Sequence, residues 1–580
     1  MSCLRNETKR CFRKIFGLNV DLRIDRDRSV HRKAPVFAVV FDHKKHENHS
    51  LFHHFANHPD SGFTKCLPQF VVDVNVEEHN NRKQLYLTID RNTFMQKTLK
   101  TYSKNLEEHA KTNLADEINK YQSVIFEYCS PNIAKPFHFG HLRSTLIGNC
   151  LSNIHSYFGH NTNRINYLGD WGSQFGILSL GYDLFGDEQK LIKDPLRHLY
   201  DVYVRANKEC EENEQFHSKA KERAMLLEKR YDEKVFLQWQ RFREYSIEQY
   251  KGLFHRLGIQ FDYIHSESMY SEASFEIVNM LSHRGLIEVL SDGAKVMKIK
   301  NNDNVTEIPL IRKDGATIYL TRDIAAAIHR KQQFNFDKMY YVVDNSQYKH
   351  FVNLKRILFE MGFEWESDMF HLPFGKVLGM STRKGTAIFL QDIIDEANSR
   401  ALKFIKESKY TKIEETEFEE KADILGLSAV IVNVLKKKRM TEFKFSWDEA
   451  IKSSLYDDSG IVLQYAHAKL CNLEKRFKIE KPFESNINLS AIQSEEAFTL
   501  LIALAQFDET LIESFHQLEP SILVKYLVDL RREVNRAYSN LIIRNETSCV
   551  VESRLLLYSA ARNVLQKGLQ LIGVKPLEAF

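Results

Sequence analysis

Residues 123–149, SVIFEYCSPNIAKPFHFGHLRSTLIGN, contain the features that decide the fold of this chain. They open with an apolar run, 124–129, that is short and rich in β-branched and aromatic residues and therefore predicts a buried strand. The Ser-Pro-Asn sequence that follows ends this strand. From Leu142 onward apolar residues recur with a helical period, and a second candidate strand covers 164–168. The stretch therefore predicts a strand–helix–strand unit of an α/β sheet.

The turn between the first strand and the helix carries His138 and His141 on either side of Gly140. Histidines three residues apart share one helix face, and the helix N-terminus beside them offers free backbone N–H groups to a phosphate. The glycine allows a base or a ribose to approach the backbone closely. The turn has neither a dinucleotide-binding fingerprint nor a P-loop sequence. From these four residues alone, two polar histidines that cap the helix are the better interpretation. A ligand site of another kind, at the place where α/β sheets bind ligands, depends on what the rest of the chain supplies.

The amino-acid composition limits the classes of protein to which the chain can belong. A chain of 580 residues with 43% hydrophobic and 12% aromatic residues is typical of a globular protein of about three to five domains. We find no run of 18 apolar residues and expect no membrane span. The net charge of +4 does not by itself indicate a nucleic-acid partner. None of the eight cysteines forms a C-x-x-C pair, which predicts reduced intracellular thiols and no bound metal.

The first 20 residues form a basic segment with an apolar helical face and few acids. Such a segment fits a mitochondrial targeting sequence, but it fits the first helix of the folded protein equally well. Its basic residues are Arg5, Lys9, Arg10, Arg13 and Lys14. Both interpretations stay open from the segment alone.

The rest of the chain divides by its patterns. Residues 21–115 predict a small α+β domain, with a strand at 36–41 and a hairpin formed by 70–76 and 85–89. Residues 116–395 predict the α/β core, interrupted at about 188–290 by a charged and largely helical insertion. A helical connector at 396–440 and an all-α bundle at 441–580 complete the chain.

Two more segments of the core place polar groups where ligands bind. The sequence predicts strand ends near Asp323 and near Gln347, and carboxyl ends of strands are ligand sites in open sheets. Asp323 could equally be the N-cap of a helix. The segment 377–385, VLGMSTRKG, predicts a loop that folds over phosphates and neutralises their charge, although a polar surface turn has the same composition.

The order of five motifs resembles arginyl-tRNA synthetase, a class I aminoacyl-tRNA synthetase, over nearly the whole chain. They are HFGH, GDWGSQFG, DGATIYLTRD, MSTRKG and LQYAHAKLC, in that order. The resemblance implies a Rossmann-like parallel-sheet core with an inserted helical segment, an N-terminal domain that contacts the tRNA, and an anticodon-binding bundle. It also implies ATP-dependent activation of L-arginine and transfer to the terminal adenosine of tRNA(Arg). The alternatives are a cysteinyl- or glutamyl-tRNA synthetase and a synthetase-like RNA-binding protein that has lost catalysis.

The resemblance assigns roles residue by residue. The implied arginine-binding residues are Glu127, Ser130, Asn132, His141, Tyr319, Asp323 and Gln347. The implied ATP-binding residues are His138, Gly140, His141, Met380 and Ser381. The implied catalytic residues are Lys135, His138, His141, Arg383 and Lys384. A guanidinium group requires planar acceptors such as a carboxylate, which makes Asp323 the first choice for this contact.

One motif departs from the class I pattern Lys-Met-Ser-Lys-Ser, because Gly379 and Thr382 replace its two lysines. Arginine enzymes often carry a lysine just before the His-x-Gly-His turn instead, and Lys135 occupies that position. The remaining expectations are ATP with Mg²⁺ as the substrate complex, no tightly bound metal, no membrane contact and a monomer. The mitochondrial matrix is the favoured location, with the cytoplasm as the alternative.

Overall fold

A computed structural model of the chain describes residues 4–5, 7–9, 20–31, 33–41, 67–79, 82–114, 118, 121–133, 135, 137, 139–301, 304–313, 315–378, 389–408, 413–452, 457–477 and 488–579. A four-stranded antiparallel sheet, a five-stranded parallel sheet, two smaller sheets and a large set of helices make up these ranges. No helix within them is both long and apolar enough to cross a membrane.

The N-terminal region is a four-stranded antiparallel sheet with the order β1-β2-β4-β3. Its elements are β1 (Val20–Ile24), α1 (Arg26–His31), β2 (Val36–Phe41), β3 (Val71–His79), β4 (Arg82–Ile89), α2 (Arg91–Tyr102) and α3 (Leu106–His109). The hairpin predicted from two β-rich runs is β3 and β4, which pair antiparallel. Asp90 caps α2 by accepting a hydrogen bond from the Thr93 N–H at 2.8 Å.

The later strands build the core and two small sheets. They are β5 (Ser123–Glu127), β6 (Asn161–Leu168), β7 (Tyr263–Ser266), β8 (Glu288–Val289), β9 (Lys295–Asn301), β10 (Asn304–Ile311), β11 (Lys338–Asp344), β12 (Met369–Phe374), β13 (Val377–Leu378) and β14 (Phe443–Lys444). Five of them form a parallel sheet with the order β12-β11-β5-β6-β7. Strand β5 lies at its centre because side chains on both of its faces are apolar. Val124 and Phe126 pack into one core, and Ile125 between them packs into the other.

Helices supply most of the remaining structure. They are α4 (Phe139–Tyr157), α5 (Gln174–Phe185), α6 (Glu188–Lys193), α7 (Pro195–Glu212), α8 (Glu214–Lys229), α9 (Glu233–Arg256), α10 (Ser271–His283), α11 (Tyr319–Phe334), α12 (Tyr348–Glu360), α13 (Leu390–Glu407), α14 (Phe418–Leu435), α15 (Trp447–Ala450), α16 (Gly460–Phe477), α17 (Glu495–Ala505), α18 (Phe507–Gln517), α19 (Pro520–Asn540) and α20 (Ser548–Leu571). The predicted strand–helix–strand unit is β5, α4 and β6. Strand β7 belongs to the main sheet although it lies inside the range 188–290 predicted for the insertion.

Capping side chains divide the insertion into separate helices. Asp194, Asn213 and Asp232 precede α7, α8 and α9, and each accepts a hydrogen bond from a backbone N–H three residues ahead. These residues satisfy donors that a helix N-terminus leaves without an internal partner. The charged stretch is therefore a set of separate helices whose apolar faces pack together, with Val202 and Ala206 close to Gly181 of α5.

One buried arginine joins the core to the C-terminal helices. Arg143 in α4 donates from its guanidinium to the backbone oxygens of Thr441 (2.8 Å), Arg439 (3.0 Å) and Lys438 (3.1 Å), and also to that of Gly375. Burial lowers the pKa of Arg143 to about 10. Because Gly375 precedes the predicted phosphate loop and 438–441 precede the bundle, a single side chain orients both relative to α4.

Buried pairs also join the two ends of the chain. Leu4 and Arg5 are buried, and Arg5 forms an ion pair with Glu509 in α18. In the same interface His109 Nε2 lies 3.1 Å from an oxygen of the fully buried Asp508. The N-terminal region therefore packs on the bundle as well as on the core.

Candidate active site

The chain leaves β5 through two consecutive residues in the left-handed region of backbone conformation. Cys129 has φ 80° and Ser130 has φ 43°, and each such non-glycine residue costs about 1–3 kcal/mol. Ser144 of α4 holds this turn: its hydroxyl accepts from the Cys129 N–H at 3.0 Å and donates to the Val342 oxygen at 2.6 Å. One side chain thereby links the strand end, the helix and the neighbouring strand β11.

The next residues form a loop that faces the glycine-rich motif after β6. Asn132 and Gly169 form a parallel bridge, with the Ile133 N–H donating to the Gly169 oxygen at 3.2 Å. A Cβ atom at position 169 would lie 3.0 Å from Asn132 Nδ2, so a side chain there would be accommodated only if Asn132 moved. Ser130 Oγ is buried and has no hydrogen-bond partner among the described residues. Buried hydroxyls are normally paired, so this one is open to a water molecule or a ligand.

Glu127 ends β5, on the same face of the sheet as Ile125. It is buried and forms an ion pair with Arg330 of α11, whose side chain is 1% exposed. The Arg330 guanidinium also lies over the ring of Tyr167, 5.0 Å from its centroid. Burial alone lowers the pKa of Arg330, but the Glu127 carboxylate and the surrounding tyrosines raise it above its usual value. The partner that a buried carboxylate requires is thus supplied by the chain itself.

Tyr319 and Asp323 lie in the first turns of α11, where the sequence predicted the end of a strand. The helix begins here because Thr321 Oγ1 accepts from the Ile318 N–H at 3.1 Å and donates to the Ile318 oxygen at 2.7 Å. Asp323 is therefore neither at a strand end nor the N-cap, and the strand prediction is wrong at this point. A spacing of four residues places Tyr319 and Asp323 on one helix face.

Asp323 has a close partner on the neighbouring helix. Its Oδ2 lies 2.7 Å from His350 Nε2 of α12, and both side chains are about one fifth exposed. Burial alone lowers the pKa of His350, but its hydrogen bond to Asp323 raises the pKa above its ordinary value. Glu127 adds to this effect, which places all three groups in one electrostatic cluster.

A second pair lies next to this cluster on α11. Arg322 Nη2 lies 3.2 Å from Glu267 Oε2, and its guanidinium lies over the Tyr319 ring at 5.0 Å. Burial raises the pKa of Glu267 to about 8.

Gln347 is exposed at the end of the short 3-10 helix Asn345–Gln347 that follows β11. The predicted strand end before Gln347 is confirmed.

The structure describes only part of the predicted phosphate site. His141 and Gly140 lie in the first turn of α4, and the His141 ring is 5.2 Å from that of Phe137. Lys135 is exposed, and its N–H donates to the Asn132 oxygen at 3.1 Å. The remaining predicted residues lie outside the described residues: His138, Met380, Ser381, Arg383 and Lys384.

Asp170 connects this edge of the sheet to the inserted helices. Its carboxylate is fully buried and accepts from Arg243 Nε (2.7 Å) and from the N–H and hydroxyl of Ser268 (2.9 and 2.8 Å). Its backbone oxygen accepts from Trp239 Nε1 at 2.7 Å. The Gly-Asp-Trp-Gly motif thus holds α9 against the loop that carries Ser130 and Asn132.

Sequence reasoning did not identify Arg330, His350, Arg143 or the role of Asp170. Two of these could have been found from their spacing in the sequence. Arg330 lies seven residues after Asp323 on the same helix face, and His350 lies three residues after Gln347. Arg143 and Asp170 had no such spacing, since their partners are far away in the sequence.

Two long parts of the chain match known protein families. The family profile for "tRNA synthetases class I (R), catalytic domain" matches residues 103–447, and that for the "DALR anticodon binding domain" matches 463–580. A probable cytoplasmic arginine–tRNA ligase of Dictyostelium discoideum is 40% identical over 519 residues, which cover 85% of this chain and 86% of that one. This chain belongs to the arginyl-tRNA synthetases.

The synthetase is therefore a class I enzyme that uses ATP to join arginine to tRNA, and the predicted family, fold class and activity are confirmed. A probable mitochondrial relative from Mus musculus is also 40% identical, over 80% of each chain. The crystal structure of the Plasmodium falciparum arginyl-tRNA synthetase shares the fold, with a TM-score of 0.75 at 21% identity over 100% of this chain and 98% of that one.

We predict that Asp170→Asn destabilises the synthetase, because it removes one charge of a buried pair and leaves Arg243 uncompensated. Breaking such a pair costs about 3–5 kcal/mol. The melting temperature should fall, and limited proteolysis should cut faster within α6–α9. Glu212→Gln is the matched control, since its exposed contact with Lys208 spans 3.7 Å. Equal melting temperatures for Asp170→Asn and Glu212→Gln would contradict the assigned role.

Proposed function

We propose that the synthetase divides its site between the side chain of arginine at α11 and the phosphates of ATP at the N-terminus of α4. The observation that supports this division is the pairing of Glu127 with Arg330. Because that carboxylate is already compensated, the substrate guanidinium needs another acceptor. Asp323 is the nearby carboxylate whose described partner, His350, can lose its proton near neutral pH.

At the arginine end, Asp323 accepts a bidentate pair from the guanidinium, with Tyr319 beside it. Ser130, Asn132 and Gln347 surround the amino acid from the two strand ends. Glu127 remains a predicted contact for the ammonium group, although it shares its charge with Arg330. An amino acid that cannot pair with these acceptors would be rejected, since polar groups left unpaired around a bound ligand are costly.

At the phosphate end, the carboxylate oxygen of arginine attacks the α-phosphorus of ATP in line. The bond to the bridging oxygen breaks, pyrophosphate leaves, and arginyl-adenylate remains. His138, His141 and the free N–H groups of α4 stabilise the charge of the transition state, together with Lys135 and the loop that carries Arg383 and Lys384. A hydroxyl of the terminal adenosine of tRNA(Arg) then attacks the carbonyl carbon, and AMP leaves. ATP brings Mg²⁺ on its own phosphates, as is usual for this ion.

Arginine-dependent exchange of pyrophosphate into ATP tests this assignment. With cognate tRNA present, we expect exchange that requires L-arginine and that Asp323→Asn reduces by about hundredfold or more, since it removes a charged partner. Asp448→Asn is the matched control, because this carboxylate lies in α15 and its side chain is 95% exposed. Normal exchange by Asp323→Asn would contradict the guanidinium contact.

Lys135→Ala provides a second variant in the same assay. Loss of one positioned charge at a transition state typically reduces the rate by about 100- to 1,000-fold. An unchanged exchange rate would contradict the proposal that Lys135 replaces the lysine absent at Thr382. The wild-type rate serves as the reference, and a wild type without exchange would favour the catalytically lost RNA-binding protein.

Arginine binding should depend on pH through His350. Asp323 raises the pKa of His350, so protonated His350 competes with the substrate guanidinium for this carboxylate at low pH. The KM for arginine should therefore rise as the pH falls through a value above the usual pKa of about 6.5. His350→Gln should remove this dependence, whereas the control His516→Gln, an exposed residue of the bundle, should retain it. A pH-independent wild-type KM would refute the competition.

The mitochondrial matrix is the proposed location, and the proposed assembly state is a monomer without membrane contact. The basic first 20 residues support import, and relatives named mitochondrial and cytoplasmic are equally similar. A fluorescent protein fused to the C-terminus should therefore localise to mitochondria. Replacing Arg10 and Arg13 with glutamate should abolish import while leaving the buried Arg5 pair intact. Cytosolic fluorescence of the unaltered fusion would overturn the assignment.

A further inference from the structure

A junction cavity of about 320 Å³ lies where α3, α4 and α20 meet. Its walls come from α3 and the π-helical turn Ala110–Leu114 that follows it, from the last turns of α4 and α20, and from Arg164 of β6. Ser156 at the cavity and His141 at the proposed phosphate site both belong to α4. They lie about 20 Å apart, because an α-helix rises about 1.5 Å per residue. The junction cavity is therefore distinct from the proposed arginine and ATP sites.

Hydrogen bonds between the three helices hold the walls of the junction cavity in place. The Tyr157 hydroxyl of α4 donates to the Leu106 oxygen of α3 at 2.8 Å. Asn153 of α4 donates from its side-chain amide to the Leu571 oxygen of α20 at 3.3 Å. The volume lies at the lower end of the roughly 300–1,000 Å³ of small-molecule sites, which are usually preformed and common at domain interfaces.

Cationic side chains outnumber acidic ones in the lining. Lys111, Arg164 and Lys567 contribute positive charge, and Glu107 is the acidic residue among the lining residues that the structure describes. Glu107 pairs with Lys567 at 2.9 Å, and Lys567 together with Lys111 holds the pKa of Glu107 below its usual value. An ammonium group has three donors, so Lys567 keeps donors for a ligand after this pair has formed.

Arg164 is held firmly at the wall of the cavity. Its Nε donates to Ser152 Oγ at 3.1 Å, and its Nη2 donates to Ser156 Oγ at 3.1 Å and to Asn153 Oδ1 at 3.3 Å. Asp262 lies 3.5 Å from its Nη1. The other three partners are neutral, so even with Asp262 counted the cations of this cluster exceed its acids. A guanidinium that is already fixed loses little freedom when a ligand binds beside it.

Lys111 contributes the charge that lacks a matching acid. Glu107 is engaged with Lys567, and the described lining holds no second carboxylate for Lys111. Lys111 is exposed and lies in the π-helical turn Ala110–Leu114. Such turns are rare and frequently occur at functional sites. The excess positive charge at a preformed cavity indicates an anionic ligand.

We propose that the junction cavity binds a small phosphate monoester. The phosphate oxygens accept from Lys111 and Lys567, beside the fixed charge of Arg164. The cavity is larger than a phosphate ion requires, so the organic part of the ligand lies against the Tyr157 ring and the Gln570 amide. A ligand in this position contacts the N-terminal region, the core and the bundle at once, and it stabilises their arrangement because it binds the folded chain alone. The site shares no residue with the proposed arginine and ATP contacts.

Calorimetric titration of the full chain with ribose 5-phosphate tests this site. Saturating L-arginine and a non-hydrolysable ATP analogue occupy the active site, so that the probe cannot bind there. We expect one saturable site per chain for ribose 5-phosphate and no binding of ribose. Inorganic phosphate should bind about tenfold more weakly or less, because it lacks the part of the ligand that contacts Tyr157 and Gln570.

Substitution of Lys111 distinguishes the junction cavity from other basic surfaces. Lys111→Ala should weaken ribose 5-phosphate binding by about tenfold or more, because it removes a charge-assisted hydrogen bond. Lys111→Arg should retain binding, since it keeps the charge. Lys104→Ala is the matched control, because this lysine is also exposed near α3 but does not line the cavity. The probe should raise the Tm of the wild type and of Lys104→Ala, and it should raise that of Lys111→Ala less.

Four results would overturn the proposal. The first is the absence of saturable binding of ribose 5-phosphate to the wild type. The second is an equal affinity for inorganic phosphate, which would exclude a role for the organic part. The third is an equal loss of affinity in Lys111→Ala and Lys104→Ala. The fourth is displacement of the probe by cognate tRNA, which would assign Lys111 to the nucleic-acid backbone. Arginine-dependent pyrophosphate exchange on the same preparation is a separate readout, so its failure bears on the proposed function and leaves the junction cavity unaffected.

Discussion

The buried ion pair between Glu127 and Arg330 determines the electrostatics of the proposed arginine site. It joins the end of the central strand to a helix packed on the sheet, and neither side chain is more than 6% exposed. Removal of either partner would leave an uncompensated charge in the core, at a cost of about 3–5 kcal/mol. Because Arg330 already compensates the charge of Glu127, the pair adds little net attraction for the substrate guanidinium. For this reason the proposal assigns the guanidinium to a carboxylate outside the pair, Asp323, and leaves Glu127 only the ammonium group.

A second constraint acts on the backbone. Cys129 and Ser130 occupy the left-handed region in succession, which a chain adopts only where its surroundings enforce it. Ser144 enforces it by bridging the Cys129 N–H and the Val342 oxygen. The strained turn directs the chain from β5 across to Gly169 and then back into α4. The groups proposed for the amino acid and those proposed for the phosphates thereby come from one short, rigid segment.

The sequence predicts those parts of the fold and the site whose interacting residues lie close together along the chain. The unit of β5, α4 and β6 follows from local periodicity, as does the hairpin of β3 and β4. The start of α11 at Tyr319 was missed because Thr321 caps the helix where β-branched residues suggested a strand. The partners of Glu127 and Asp170 could not be predicted, because Arg330 and Arg243 lie 203 and 73 residues away and leave no local pattern. Individual site residues on helices and at strand ends could thus be predicted, but the arginines that compensate their charges could not.

The Gly-Asp-Trp-Gly motif now has a physical explanation that its composition did not suggest. It contributes no group to the proposed chemistry, yet each of its first three residues contacts a different part of the site. Gly169 packs on the loop of Asn132, Asp170 binds Arg243 of α9, and Trp171 lies beside the inserted helix α8. An enzyme that must align an amino acid with the end of a large nucleic acid needs its two binding surfaces held at a fixed separation. A buried carboxylate with three charge-assisted or neutral donors provides that rigidity, because any displacement of the insertion would leave it unpaired. The motif therefore joins the loop of Asn132 to the insertion, and its described contacts are those of packing and a buried ion pair.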